Sequence, residues 1–328
     1  MELVTTRRRL LDREVLFFGG KGGVGKTTLA ATVACLAARE GYRTLLVSTD
    51  PAHSTSDVLD VALGPDPREV QPGFWAMEID PSLEADRYIE EVKRRIAEIT
   101  PPRLAAEVER QIDIARVTPG AEESALFDRF TKITDDAGEK YDRLLFDTAP
   151  LGHTLRLLAL PELMGEWISG LISRREKVNV LGRMWRNVAG AAAGSESDRP
   201  DPVLGALEER QARFERARQL ITDEKRAGFV FVVTPEHLPV AETERSVVTL
   251  EKYGIPVAGI MVNQVVPEDA DGAPFASRRE RQATYLERIH RSFSAYPVHS
   301  IPLLDGELHG LDALARIIQT LPESERRS

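Results

Sequence analysis

Residues 19–28 read Gly19-Gly20-Lys21-Gly22-Gly23-Val24-Gly25-Lys26-Thr27-Thr28, directly after the apolar run Val15-Leu16-Phe17-Phe18. Gly20 to Thr27 fits G-x-x-x-x-G-K-[ST] without a gap. The apolar run predicts a buried strand, and the small residues of Leu29 to Ala38 predict a helix. A glycine-rich loop between strand and helix lets backbone N–H groups turn inward around phosphate oxygens, and the helix N-terminus adds the positive end of its dipole. In such a loop Lys26 is expected between the β- and γ-phosphates of ATP, and the Thr27 hydroxyl on Mg2+. Gly20, Lys21, Gly22, Gly23, Val24, Gly25 and Thr28 complete the cradle. One lysine suffices for this chemistry, so Lys21 needs a separate explanation.

Two further apolar stretches run into carboxylates. Thr44 to Ser48 (TLLVS) leads into STDPAHSTSD, residues 48–57, and Arg143 to Phe146 (RLLF) leads into DTAPLGHT, residues 147–154. In open parallel α/β sheets ligands sit beyond the carboxyl ends of the strands. Asp50 and Asp147 are therefore expected at the γ-phosphate end. Asp147 follows its apolar strand as a Walker-B carboxylate does, which assigns it to Mg2+ through water and leaves Asp50 to orient or polarise the attacking water. An aspartate here can also cap a helix or close a turn, which is the plainer role for Asp57. His53 and His153 lie in the same loops, but no other histidine stands at metal-ligand spacing, so no structural metal is expected.

Composition narrows the class. The chain has 328 residues, a formal net charge of −9 and a sequence pI of about 5.4, against a general nucleic-acid binder. The basic clusters Arg7–Arg9 and Arg278–Arg281 are short and read as solvated helix faces. No run of about 18 apolar residues is present, so no direct membrane insertion is expected. The polar start of the chain shows no secretory signal, and Cys35 is the one cysteine, so no internal disulfide can form. Cytoplasmic localisation is the expectation, with Cys35 a small buried residue of the helix after the loop.

The whole chain reads as a single phosphate-loop domain: a doubly wound, mostly parallel α/β sheet carrying a helical subdomain. The core is expected at about 14–82, 140–160 and 228–321, with the helical part from insertions at about 83–139 and 161–227. Phe229–Val233 and Val257–Val262 read as buried parallel strands. The first insertion carries Ile89, Val92, Ile96 and Ile99 at helical spacing. The second carries two apolar stripes. One is Leu163, Met164, Trp167, Ile168, Leu171 and Ile172; the other is Leu181, Met184, Trp185 and Val188. A small, polar linker at 189–202 and a charged helix at 203–225 with Leu207, Phe214 and Ile221 on one face follow. The stripes suit a helical core or dimer contact, or else a groove for the apolar helix of a client. A membrane anchor brings about 20 apolar residues, too many for one subunit's stripe but not for two side by side. Leu311, Leu314, Ile317, Ile318 and Leu321 predict a last helix packed on the core.

The segments GKGGVGKTT, STDPAHSTSD, TPGAEESALF, DTAPLGHTLRLLALPE, PEHLPVAETER, VNQ and IPLLDGELHG occur in one order between Val15 and Leu321. In this the chain resembles the arsenite-pump and tail-anchored-protein-targeting (guided-entry) ATPase family. The resemblance implies a homodimer in which Lys21 reaches the partner's nucleotide, and it implies that Asp50 polarises the water. It places Glu236 and Asn263 against the nucleoside, and Pro302 and Leu303 near adenine. It implies either a targeting factor for a hydrophobic helical client, with a membrane-bound receptor as further partner, or the ATPase motor subunit of an arsenite or other oxyanion efflux pump, with a membrane channel as partner. The departures also count. Eukaryotic targeting members carry a CxxC after VNQ that binds zinc across the dimer, whereas residues 264–285 here contain no cysteine, so no zinc is expected. Arsenite-pump members use several cysteines and two joined halves; this chain shows one of each. Bridged iron–sulfur clusters are excluded by the same count.

Overall fold

In a computed structural model, residues 10–50, 54–99, 110, 121–135, 138–148, 202–306 and 308–321 are described. The strands are β1 (Val15–Gly19), β2 (Thr44–Ser48), β3 (Arg68–Gln71), β4 (Phe74–Glu78), β5 (Arg143–Asp147), β6 (Ala227–Val233), β7 (Val257–Val265) and β8 (Val298–Pro302). They form one sheet in the order β3-β4-β2-β5-β1-β6-β7-β8. All pairs are parallel except β3 with β4. The helices are α1 (Lys26–Arg39), α2 (Ser54–Leu59), α3 (Pro81–Ile99), α4 (Ala121–Asp135), α5 (Pro202–Thr222), α6 (His237–Lys252), α7 (Ala273–Ser292) and α8 (Gly310–Thr320).

The central strands are apolar throughout because both faces of the sheet are covered. Alternate residues feed two separate cores. Leu16 and Phe18 of β1 join Leu46, Leu145, Val230 and Met261 under α1 and α8. Val15 and Phe17 join Val47, Phe146, Phe229 and Ile260 beneath α4, α5 and α6. Phe17 is the hub of the second layer. Its ring lies 5.3 Å from Phe146, 5.7 Å from Phe130 and 6.4 Å from Phe229, with Phe127 and Phe214 packed edge-on beyond at 5.0 Å.

The layering refines the sequence expectation. Phe127 and Phe130 of α4 and Phe214 and Ile221 of α5 lie in the same core as β1, so the distal ends of both insertions pack on the sheet. Ile89 is buried as its spacing predicts. The side chains of Val92, Ile96, Ile99 and Leu207 are outside the description, and the stripes at 163–188 lie outside the described residues. Helix α8 packs on α1 through Leu314, Ile317 and Ile318. Strand β7 runs three residues past the apolar Val257–Val262, because the strand pairing continues to Val265 and Pro302. Among the described residues no helix is long and apolar enough to cross a membrane.

The aromatic hub sets a test of the packing. Phe17→Ala removes the ring that meets both neighbouring strands and α4 at once, and should cost about 3–5 kcal/mol. Urea unfolding followed by circular dichroism measures it; a cost below about 1 kcal/mol, the size of a mild core swap, would contradict the arrangement.

Candidate nucleotide site

Parallel pairing puts the carboxyl ends of β1, β2, β5, β6, β7 and β8 on one edge of the sheet. The glycine loop leaves β1 there. Helix α1 starts at Lys26, three residues before the small-residue run predicts, because Lys26, Thr27 and Thr28 form its first turn. Gly25 precedes them in the left-handed region with φ +91°, and a Cβ there would lie 2.4 Å from Asn263 Nδ2. A Cβ on Gly20 would lie 2.2 Å from the Val232 carbonyl oxygen of β6. The backbone carbonyl requires a glycine at position 20, and the left-handed turn requires one at position 25, where a Cβ would also displace the Asn263 side chain.

Lys26 is 5% exposed and Thr27 8% exposed. The Thr27 hydroxyl donates to Asp147 Oδ2 at 2.6 Å and lies 3.0 Å from Ser54 Oγ of α2. Asp147 closes β5 and is fully buried. Its other carboxylate oxygen, Oδ1, is buried and has no hydrogen-bond partner among the described residues. Burial pushes the Asp147 carboxyl up to about 7; the Thr27 hydrogen bond and the Lys26 charge oppose this, and the charges of Asp50 and Glu78 add to it. An orphaned carboxylate oxygen, a hydroxyl beside it and a buried lysine suit a Mg2+–phosphate pair: hard oxygen donors for the cation, a cation for the phosphate.

The remaining predicted residues spread along the same edge. Asp50 is half-buried two residues past β2, where Thr49 N–H donates to the Asp147 carbonyl at 3.0 Å. Asn263 of β7 donates through Nδ2 to the Val24 carbonyl at 2.8 Å, so it is bound to the phosphate loop itself. Glu236 precedes α6, with an exposed side chain 4.0 Å from Arg278. Pro302 ends β8, two strands beyond the neighbour of β1, and Leu303 N–H donates to the Val265 carbonyl at 2.8 Å. Lys21 is half-buried and makes no hydrogen bond or ion pair among the described residues, and Gly22 and Gly23 are exposed. His53 and His153 lie outside the described residues. Cys35 is fully buried in α1, as expected, and accepts a weak hydrogen bond from Gln71.

Three polar groups at this edge were passed over by the sequence reading: Ser54, Glu78 and Gln282. Glu78 ends β4 after the apolar Phe74-Trp75-Ala76-Met77, the same signal that marked Asp147. Gln282 of α7 is 3% exposed and bonds both Val266 N–H and the Gln264 carbonyl, bracing the end of β7 that carries Asn263.

An open, mostly parallel sheet whose central strand leads through a glycine loop into a helix is the architecture of the P-loop nucleoside triphosphatases. The chain belongs to the anion-transporting ATPase family, matching it over residues 13–323, and is an ATPase. It is 33% identical over 308 residues to a putative arsenical pump-driving ATPase 2 of Aquifex aeolicus, covering 94% of this chain and 99% of that one. It is 30% identical over 322 residues to the ATPase ASNA1 homolog 1 of Paramecium tetraurelia, covering 96% and 95%. It is 32% identical over 320 residues to the ATPase GET3A of Arabidopsis thaliana, covering 94% and 84%.

The raised Asp147 carboxyl sets a pH test on the nucleotide- and metal-free protein. An unfolded aspartate loses its proton near about pH 4, whereas the folded one keeps it up to about 7. Between those values the folded state binds more protons, so this group's contribution to stability falls as pH rises, by up to about 1.4 kcal/mol per pH unit. Asp147→Asn cannot titrate. The stability difference between wild type and Asp147→Asn in urea should therefore drift in favour of the variant from about pH 4 to 7 and level off above; a flat difference would mean that the carboxyl titrates normally.

Proposed function

We propose that this ATPase works as a homodimer opened and closed by MgATP binding and hydrolysis, and that it uses the cycle to capture and target hydrophobic, tail-anchored-like membrane protein clients in the cytoplasm. Lys26 and the amides of residues 20–28 hold the phosphates. Thr27 would hold Mg2+ directly and Asp147 through water; the cation supplies neutralisation of charge shared by the β- and γ-phosphate oxygens. Asp50 orients a water in line with the γ-phosphorus, the new P–O bond forming as the bond to the β-phosphate oxygen breaks. Lys21 delivers its charge to the partner's nucleotide, as an arginine finger does. What supports this is that Lys21 stands half-buried with no partner among the described residues of its own chain. Glu236 and Asn263 are assigned to the nucleoside, and Pro302 and Leu303 to the adenine side. The helical subdomain at about 83–139 and 161–227 would carry the composite client groove, formed when two ATP-bound subunits close.

The observation that carries the client reading over a pump is the cysteine. The chain has one, Cys35, and it is buried in α1, which leaves no set of thiolates for a metalloid. The relatives named arsenical pump-driving ATPases favour the second reading, a motor subunit of an arsenite or other oxyanion efflux pump. Arsenite should leave ATP turnover unchanged under the first reading and stimulate it under the second.

Two experiments test the mechanism. Asp50→Asn should bind MgATP and hydrolyse it very slowly, and Lys21→Ala should be nearly inactive alone. Mixed, they form dimers in which one site has both Asp50 and a lysine from the other chain. That site should recover activity; heterodimers that stay inactive would confine Lys21 to its own loop. For the groove, Leu171→Asp with Met184→Asp should abolish binding of an apolar helical peptide while basal ATPase and solubility stay largely intact. Unfolding would make these residues core, and unchanged binding would put the client elsewhere.

A further inference from the structure

Glu78 is a buried carboxylate that the mechanism above does not use. It ends β4, opposite Ser48 of β2, and is 6% exposed. Burying a carboxylate is costly unless its oxygens are met by donors. Here both are met by one residue: Ser56 N–H donates to Oε1 at 2.9 Å and the Ser56 hydroxyl donates to Oε2 at 2.8 Å. The same hydroxyl accepts from Leu63 N–H at 3.2 Å. Helix α2 is therefore gripped at its third residue by the end of a strand.

The grip bears on the site because of what α2 carries. Its first residue, Ser54, lies with Oγ 3.0 Å from Thr27 Oγ1, and Thr27 in turn donates to Asp147. The described chain is tied on either side of these positions: Thr49, before Asp50, donates to the Asp147 carbonyl at 3.0 Å, and Ser56, after Ser54, is anchored on Glu78. The sheet supplies the rigidity: Ile79 N–H donates to the Ser48 carbonyl at 2.9 Å, holding β4 and β2 in step immediately beside the carboxylate. A single apolar side chain at position 78 could fill the space but could not hold the backbone amide and hydroxyl of Ser56 together.

We propose that Glu78 is a positioning residue for ATP hydrolysis: by holding α2 through Ser56, it sets Ser54 against Thr27 and, with the Thr49 bond, anchors the chain on either side of Asp50. It acts through these groups and touches neither the phosphates nor the water. The inference rests on the assignment of Thr27 and Asp50 to MgATP and the attacking water.

Steady-state ATPase kinetics, binding of a fluorescent ATP analogue with Mg2+, and thermal melts on Glu78→Leu, Ser56→Ala, the double variant and Glu78→Gln test it. Glu78→Leu and Ser56→Ala should each lower kcat about tenfold or more while KM and nucleotide Kd move less than about threefold, the signature of lost alignment rather than lost binding. The double variant should fall no further than Glu78→Leu, which already loses both contacts with Ser56. Glu78→Gln removes the charge that acts on Asp147 but keeps an acceptor for Ser56 N–H and a donor to Ser56 Oγ, so it should retain most of the turnover. Wild-type turnover in Glu78→Leu overturns the proposal. So does a loss in Glu78→Gln as large as in Glu78→Leu, which would make the charge and not the grip the cause, or a loss of kcat that tracks KM, Kd and melting temperature together. If Glu78→Leu fails to fold, Ser56→Ala, which deletes only a half-buried hydroxyl, decides by the same criteria. Asp50→Asn run in parallel separates the two levels. Normal turnover there removes the role of Asp50, whereas loss there with normal turnover in Glu78→Leu removes only the role of Glu78.

Discussion

The hydrogen bond from Thr27 to Asp147 is the contact on which the site depends. It joins the first turn of α1 to the last residue of β5 at 2.6 Å, across 120 positions of sequence. It can form only if β5 lies beside β1 in parallel register, which sets Phe18 opposite Asp147 and stacks Phe17 on Phe146 one residue earlier. The aromatic layer on one face and the small residues of α1 on the other are thus two means of holding one carboxylate against one hydroxyl.

The phosphate loop is held in the same spirit, by contacts that leave it no freedom to collapse. Gly20 lies against the Val232 carbonyl of β6, Asn263 of β7 bonds the Val24 carbonyl, and Gln282 of α7 braces the strand end behind Asn263. A loop braced this way meets its ligand with its amides already aimed, which is where electrostatic binding draws most of its strength. The carboxyl of Asp147 is fully buried, and burial pushes it up to about 7, so its ionised form is disfavoured until a cation charge arrives beside it.

Much of this is legible in the sequence because the physics is local. The glycine spacing, the apolar run before it and the small residues after it give the strand, loop and helix, and β2 spans Thr44–Ser48 as its five-residue pattern predicts. Where the reading falls short, long-range contacts decide. The extension of β7 through Asn263 and Gln264 is polar, so apolar patterning ends too early; pairing with β8 and the side chain of Gln282 carry the strand onward. Phe127 and Phe214 sit in segments whose pattern says helix, but not which surface the helix covers; that depends on Phe130, which meets both Phe17 and Phe127, and on Phe127 meeting Phe214. Glu78 follows an apolar run just as Asp147 does, but the run does not show its role, because Ser56, which bonds both of its oxygens, is 22 residues away and looks like an ordinary loop serine.

The order of the strands grades the sheet from centre to margin. Strand β1, which launches the phosphate loop, has a neighbour on each side and a core above and below; β8, which carries Pro302, is an edge strand with one neighbour among the described residues. Amides at the centre exchange with solvent only when much of the fold opens, whereas an edge can fray alone. Sequence drift follows the same gradient. A change in β1 disturbs two strands and two layers, but a change in β8 disturbs one strand. Whatever this edge of the sheet recognises near β8 can be retuned in evolution at little cost to folding, while the part that meets phosphate is bound to the stability of the whole.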